Sequence, residues 1–391
     1  MRTIDTKNPV ILTPDLIRGK NLLLLAMLCT SLNSSTRDDK QLNTDGLLCW
    51  CRPGFEPDLA AELGERAAAA GLGGYARAER DSGFVEFPGE NGDALSAALP
   101  FHELIFARQK LRLLADLRGL DPKDRIAPML EALAARGRYG DLFVEHPDSD
   151  MGKPLAGLAR AFANALRPAL RQRGFLTDAV DARLPRLHVC FVAGDRALLA
   201  SSDVCDSSPW PLGIPRLRAH ADAPSRSALK LEEALLTLLD DDEREKLLTP
   251  GMHAADLGAA PGGWSWVLAR RHLRVYAIDN GPMAESAMAT GVIEHIRADG
   301  FQWQPPKPLD WLVCDMVEQP RRVAVRMAEW FAHRWCKHAI FNLKLPMKKR
   351  WQETQQCLDL FAAQAGRELI VRAKQLYHDR EEITVFASCL R

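Results

Sequence analysis

The sequence predicts an α/β chain in which a doubly wound parallel domain at the carboxyl end is preceded by an α+β region. Three observations carry this. After residue 224, short apolar runs alternate with amphipathic helical runs, as a parallel sheet with crossover helices requires. Before residue 210, strands and helices follow in another order, with a hairpin pattern at Leu187–Val192 and Ala197–Ser201. Between them, Trp210–Pro224 is rich in proline and reads as a linker.

Length and composition set the frame. The chain has 391 residues, 47% hydrophobic and 26% charged, with a net charge of zero. At roughly 150 residues per domain this allows two or three globular domains. The charge total gives no sign of a polyanionic partner, but its distribution does. From Pro320 to Arg350 nine Lys/Arg face one acid, Glu329, which reads as a solvated helix face or a phosphate footprint. Nine scattered cysteines without a CxxC pair point to reduced thiols and a cytoplasmic protein. Ten histidines without HExxH predict no metal. The apolar run Leu22–Leu28 is too short to span a bilayer. Residues 1–45, polar from Arg37 to Asp45, read as a disordered or mis-annotated extension, with Met27 as an alternative start.

Order is expected from Leu47. The run LLCWC reads as a strand, Asp58–Ala70 as a helix closed by Gly71, and Gly83–Phe87 as a strand. These define a small module over residues 46–100. A second module, 101–209, has helices at Pro122–Ala135 and Pro154–Arg173, a strand at Asp141–Glu145 and the hairpin. In the third, 210–391, Ser227–Leu239 is an amphipathic helix. Strands follow at Met252–Leu257, Val275–Asp279, Leu309–Asp315, Ala339–Leu345 and Ile383–Ala387, with helices at Trp264–Arg271, Val323–Trp335 and Gln352–Gln364.

The strongest local signal is Ala254–Trp264, AADLGAAPGGW. An apolar strand ends at Asp256 and Gly258, and Ala260, Pro261, Gly262, Gly263 and Trp264 open a helix. Glycines serve where the backbone approaches a ligand or takes positive φ, and proline suits a helix start. The turn is neither GxGxxG nor a P-loop, which disfavours a nicotinamide enzyme and a nucleotide triphosphatase. Asp279, 23 residues after Asp256 at the end of the next strand, is placed to accept from ribose hydroxyls. Asp299, after a third short segment, suits an exocyclic amine, or is simply a turn residue.

Four ionisable residues sit at element ends: Lys230 in the first turn of a helix, Asp315 closing WLVCD, Lys344 in FNLKLP, and Glu382 opening the last strand. In open α/β sheets chemistry lies beyond the carboxyl ends of the strands, where Asp315 and Lys344 fall. A strongly apolar strand delivering a lysine into a proline turn makes Lys344 the most telling. Lys348, Lys349 and Arg350 follow it directly and read as phosphate contacts, while Trp335 and Trp351 read as base-stacking or core residues.

Lys, Asp, Lys and Glu beside a D-x-G-x-x-P-G-G turn resemble the RrmJ/fibrillarin-type 2′-O-ribose methyltransferases. The segments CRPGFE, GIPRL, DAPSRSALKLEEA, DLGAAPGGW, CDMVEQP, FNLKLPMKKR and QLYHDREE are similar to those of the RlmM family, which acts on bacterial 23S ribosomal RNA. The resemblance runs from Leu47 to the last strand. It implies a Rossmann-like class I methyltransferase domain behind a ferredoxin-like and THUMP RNA-binding region. It implies S-adenosylmethionine as cofactor and a cytidine ribose in the peptidyl-transferase region of 23S rRNA as acceptor, met before subunit assembly is complete. It places Ser227, Ala260–Gly263, Asp279, Asp299 and Asp315 at the cofactor, and Lys344 as proton acceptor. Glu381 and Glu382 compete for the fourth catalytic place, and Glu382 is preferred because it directly precedes the strand.

As a base, Lys344 must be neutral, yet an ordinary lysine titrates near ~10.4. Burial and the charge of Lys230 are expected to lower it, with Asp315 opposing and Glu382 positioning Lys230. A cytosine-C5 enzyme would show a catalytic Pro-Cys, and a base N-methyltransferase an Asn/Asp-Pro-Pro-aromatic motif; CDMV has neither. The alternative from another class is a non-catalytic RNA-binding assembly factor keeping the fold. No membrane partner is expected, and a monomer is.

Overall fold

A computed structural model describes residues 41–42 and 45–389. The expectation for residues 1–45 therefore falls largely outside the described residues. Within it, Gln41–Leu42 is a short strand rather than part of a disordered tail. The described residues up to Ile214 form one compact unit, and those from Pro215 form another.

The amino-terminal unit runs β1 (Gln41–Leu42), β2 (Gly46–Trp50), α1 (Glu56–Ala69), β3 (Phe84–Pro88), α2 (Gly92–Ala98), β4 (Gln109–Leu117), α3 (Ile126–Leu133), β5 (Asp141–Glu145), α4 (Ala156–Gln172), β6 (Arg186–Ala193) and β7 (Arg196–Ser202). A single seven-stranded sheet, β3-β2-β4-β7-β6-β5 with β1 beside β4, runs through both expected modules. The join is β4, which pairs antiparallel with β2 and with β7. Sequence reading left this segment unassigned because Lys110 and Arg112 interrupt its apolar run. Lys110 is buried and donates to the carbonyls of Ser96 and Leu99 at 2.8 and 2.9 Å. On α4, Ala159, Phe162, Leu166 and Leu170 form a helical stripe that packs in one cluster with Leu187, Val189 and Phe191 of β6.

The carboxyl-terminal unit runs α5 (Ala228–Leu238), α6 (Asp241–Leu247), β8 (His253–Leu257), α7 (Gly263–Ala269), β9 (Arg274–Ile278), α8 (Glu285–Met288), β10 (Ile293–Ile296), β11 (Trp311–Cys314), α9 (Pro320–Ala332), β12 (His338–Lys344), α10 (Arg350–Ala365), β13 (Leu369–Lys374) and β14 (Glu382–Cys389). Its strand order is β10-β9-β8-β11-β12-β14-β13. The first five are parallel, four of them at expected strands; β10 adds a strand where the sequence shows only a short segment before Asp299. The last two are not: β14 lies antiparallel between β12 and β13. A chain that leaves β13 and returns through a short loop must reverse direction. The order turns back beside β8 and β11, the switch point where such sheets open a crevice.

Side chains alternate along a strand, so register decides which face each residue joins. Asp256 pairs with Val313, Val313 with Ile340 and Ile340 with Phe386. These three apolar residues share one core cluster with Leu231, Ala234 and Leu235 of α5. Residues two further along, at the carboxyl ends, therefore emerge on the α5 side.

The connection from β10 to β11 is pinned from α9. Arg326 is buried; it donates to the carbonyls of Gly300 (3.3 Å) and Trp303 (2.5 Å), pairs with Glu329 at 2.8 Å and lies over Trp330 and Trp335. Arg326→Ala removes these bonds from a buried site and is expected to destabilise the unit by about 2–4 kcal/mol. Urea unfolding followed by tryptophan fluorescence measures this.

Candidate active site

The turn after β8 is shaped by the protein's own atoms. Gly258 and Gly262 take φ of +78° and +108°, which side-chain-bearing residues rarely adopt. A Cβ at Gly258 would stand 2.6 Å from Met316 Cγ, and one at Gly262 2.8 Å from Ala287 and Met283. A Cβ at Gly263 would collide with Ser227 and Ser225, whose hydroxyls lie 2.6 Å apart. Positive φ and close packing thus account for the glycines here. Pro261 follows a cis peptide and precedes the cap, so it stands outside the first helical turn. Trp264 is buried and donates Nε1 to the Ser227 carbonyl at 3.0 Å, tying the turn to the start of α5.

The three aspartates differ in setting. Asp256 is buried beneath the turn and accepts from Ser265 Oγ at 2.7 Å. Burial pushes its carboxyl up to about 7 against the Ser265 hydrogen bonds. It supports the turn from below. Asp279 accepts from the amides of Ala260 (3.0 Å) and Gly281 (2.7 Å), bridging the turn to the end of β9. Asp299 is exposed, and its Oδ1 accepts from the Phe301 amide at 2.8 Å. An adenosyl ligand suits this set: Asp279 is partly exposed at the end of β9, next to β8, and Asp299 Oδ2 makes no hydrogen bond within the described residues.

Lys230, Asp315, Lys344 and Glu382 come together as an alternating ring. Lys230 pairs with Asp315 at 3.2 Å and with Glu382. Lys344 pairs with Asp315 and with Glu382. The antiparallel register sets Lys344 directly opposite Glu382, while Asp315 follows the end of β11 and Lys230 descends from α5. One residue along, Glu381 points elsewhere and pairs with Arg350 Nε at 2.9 Å. Glu382 thus touches both lysines, where sequence reading gave it only Lys230. This reverses the expected behaviour of Lys344. Burial works to lower its ammonium, but the carboxylates of Asp315 and Glu382 outweigh burial and hold it above the ordinary lysine range.

Glu233, one turn after Lys230, is buried and accepts from the amides of Tyr377 and His378, both at 2.8 Å, and from His378 Nδ1 at 2.6 Å. It anchors the loop leading to Glu382. Sequence reading missed it because a glutamate beside Glu232 on an amphipathic helix looks solvated.

The basic run is largely spent within the fold. Arg321 pairs with Glu353, Arg322 with Glu318, Arg326 with Glu329, Lys337 with Asp310 and Arg350 with Glu381. Arg350, expected as a phosphate contact, is thus held by Glu381. Lys348 and Lys349 are exposed and make no ion pair among the described residues. They follow a cleft of about 410 Å³ lined by Gln319, Pro320, Arg321, Lys344, Leu345, Pro346 and Glu353. Trp351 is buried, and Trp335 stacks on His333. Burial pushes the Cys314 thiol up to about 12, so it is no nucleophile.

Comparison with known proteins agrees with the geometry. The family described as RlmM ferredoxin-like domain matches residues 44–111, ribosomal RNA large subunit methyltransferase M, N-terminal, matches 124–203, and FtsJ-like methyltransferase matches 223–366. Ribosomal RNA large subunit methyltransferase M of Xanthomonas campestris pv. campestris is 68% identical over 88% of this chain and 99% of its own. Its counterparts in Xanthomonas axonopodis pv. citri and Xanthomonas oryzae pv. oryzae are 67% and 66% identical over the same shares. With an FtsJ-like class I methyltransferase domain behind a ferredoxin-like domain, the chain belongs to the ribosomal RNA large subunit methyltransferase M family.

Proposed function

We propose that the protein transfers a methyl group from S-adenosylmethionine to the ribose 2′-hydroxyl of a cytidine in the peptidyl-transferase region of 23S rRNA. The ring of two lysines and two carboxylates beside the glycine turn carries this reading. Large-subunit rRNA as substrate is supported by the relatives' names. The cofactor supplies a methyl already activated by its sulfonium, so the chain needs to supply alignment and a base.

Ser227, Gly258 and the segment Ala260–Trp264 form the cradle, with Asp256 holding it through Ser265. Asp279 takes the ribose hydroxyls and Asp299 the adenine amine. Lys344 accepts the proton of the acceptor hydroxyl. Asp315 and Glu382 orient its amine, and Lys230 offsets their negative charge. Because both carboxylates keep Lys344 protonated at rest, it serves as a base only in the fraction that has lost its proton. Lys348 and Lys349 contact backbone phosphates beside the cleft, and the amino-terminal unit adds further RNA contact. The protein acts as a cytoplasmic monomer, on RNA not yet fully assembled into the subunit.

Lys344→Ala is expected to abolish single-turnover methylation of deproteinised 23S rRNA while leaving cofactor affinity within about twofold. Mass-spectrometric ribose mapping reads the product. Full activity in the variant, or a methyl on the base, would sink the reading. With Lys344 held charged, the wild-type methylation rate should rise with pH throughout the neutral and mildly alkaline range; a plateau from neutral pH upward contradicts this.

Asp256 gives a stability prediction. Its folded pKa, about 7, lies above the unfolded value, so the folded state binds the extra proton between about pH 4 and 7. Its contribution is full below that window and is lost as pH rises through it. Asp256→Asn should therefore show a smaller fall in Tm across the window than wild type. Parallel Tm curves would contradict the assignment.

A further inference from the structure

Behind the charged ring lies a buried polar line that the proposed chemistry leaves unused. The register that sets Lys344 opposite Glu382 sets Asn342 opposite Thr384 on the same face. Both are fully buried, and Asp379 beyond them is 1% exposed. Asn342 Nδ2 donates to Asp315 Oδ1 at 3.0 Å, the oxygen that also meets Lys344. Thr384 Oγ1 lies 2.7 Å from Asn342 Oδ1 and 2.9 Å from Asp379 Oδ2, and Asp379 Oδ2 also accepts from the Leu376 amide at 3.2 Å.

A proton count fixes the direction of this line. Asn342 must turn its amine to Asp315, because its carbonyl would oppose a carboxylate. Its carbonyl therefore faces Thr384 and needs a donor. A hydroxyl has one proton, so Thr384 gives it to Asn342. The remaining contact, between Thr384 and Asp379, then needs a proton from the carboxyl. Burial, and the charges of Glu382 and Glu233, favour the neutral acid at Asp379.

We propose that Asp379 is a positioning residue for methyl transfer, a protonated acid that sends a one-way line of hydrogen bonds through Thr384 and Asn342 to Asp315 and so holds that carboxylate against Lys344. This rests on Lys344 as the base. The line ends on the Asp315 oxygen shared with Lys344, so loosening it changes the alignment of the base and leaves the cofactor cradle intact.

Three variants of the full chain test it in single-turnover assays with 23S rRNA and S-adenosylmethionine. Thr384→Val cuts the line without changing charge and should lower the rate by ~10-fold or more, with cofactor affinity within about twofold. Thr384→Ser should restore most of the rate, and Asp379→Asn, whose amide nitrogen cannot both donate to Thr384 and accept from the Leu376 amide, should lower it. At neutral pH the infrared spectrum should show a protonated carboxyl band that Asp379→Asn removes. A wild-type rate in Thr384→Val, a Ser variant no better than the Val variant, or no such band would overturn the proposal. If Thr384→Val fails to fold, the serine variant and the band still decide it. Lys344→Ala separates the two readings: its full activity defeats the base assignment, whereas an inactive Lys344→Ala beside a fully active Thr384→Val defeats only the Asp379 line.

Discussion

The site depends on the antiparallel register of β12 and β14. That pairing puts Lys344 across from Glu382 and Asn342 across from Thr384. A slip of β14 by one residue would turn Glu382 and Thr384 to the opposite face and bring Glu381 towards the site. The parallel pairing of β11 with β12 then brings Asp315 alongside. An all-parallel sheet would need another crossover helix between these strands. The reversed strand brings an acid from the far end of the chain into contact with both lysines.

The ring is close to self-neutralised, with two positive and two negative groups in alternation. Each buried charge has partners of opposite sign, which is the condition for burying it at tolerable cost. The consequence is a Lys344 ammonium held in its protonated form. Protein geometry here favours an ordered resting state over an armed one. The glycine turn is held in the same manner: Asp279 accepts from the Ala260 and Gly281 amides, and Trp264 ties the turn to the start of α5.

Much of this was legible in the sequence. The turn, the strand-end positions of Asp315 and Lys344, and four of the five parallel strands follow from glycine placement and apolar periodicity; β10, only four residues long, does not. Adjacent Glu381 and Glu382 could not be separated by composition; alternation along β14 and the Arg350 pair separate them. The strand β13 was missed because it is an edge strand whose Arg372 and Lys374 break the apolar run; Arg372 pairs with Glu243 and Lys374 is buried. Net charge along the basic run does not reveal partners distant in sequence, such as Glu353 for Arg321. Asn342, Thr384 and Asp379 gave no signal, since their role depends on strand register.

The protonation state of Lys344 is the central claim, and side-chain nitrogen NMR on the free protein tests it most directly. Titration of the Lys344 Nζ resonance, assigned by its loss in Lys344→Ala, should give a midpoint above the ordinary lysine value of about 10.4. A midpoint below that value would show that burial and Lys230 outweigh the two carboxylates, and would contradict the account.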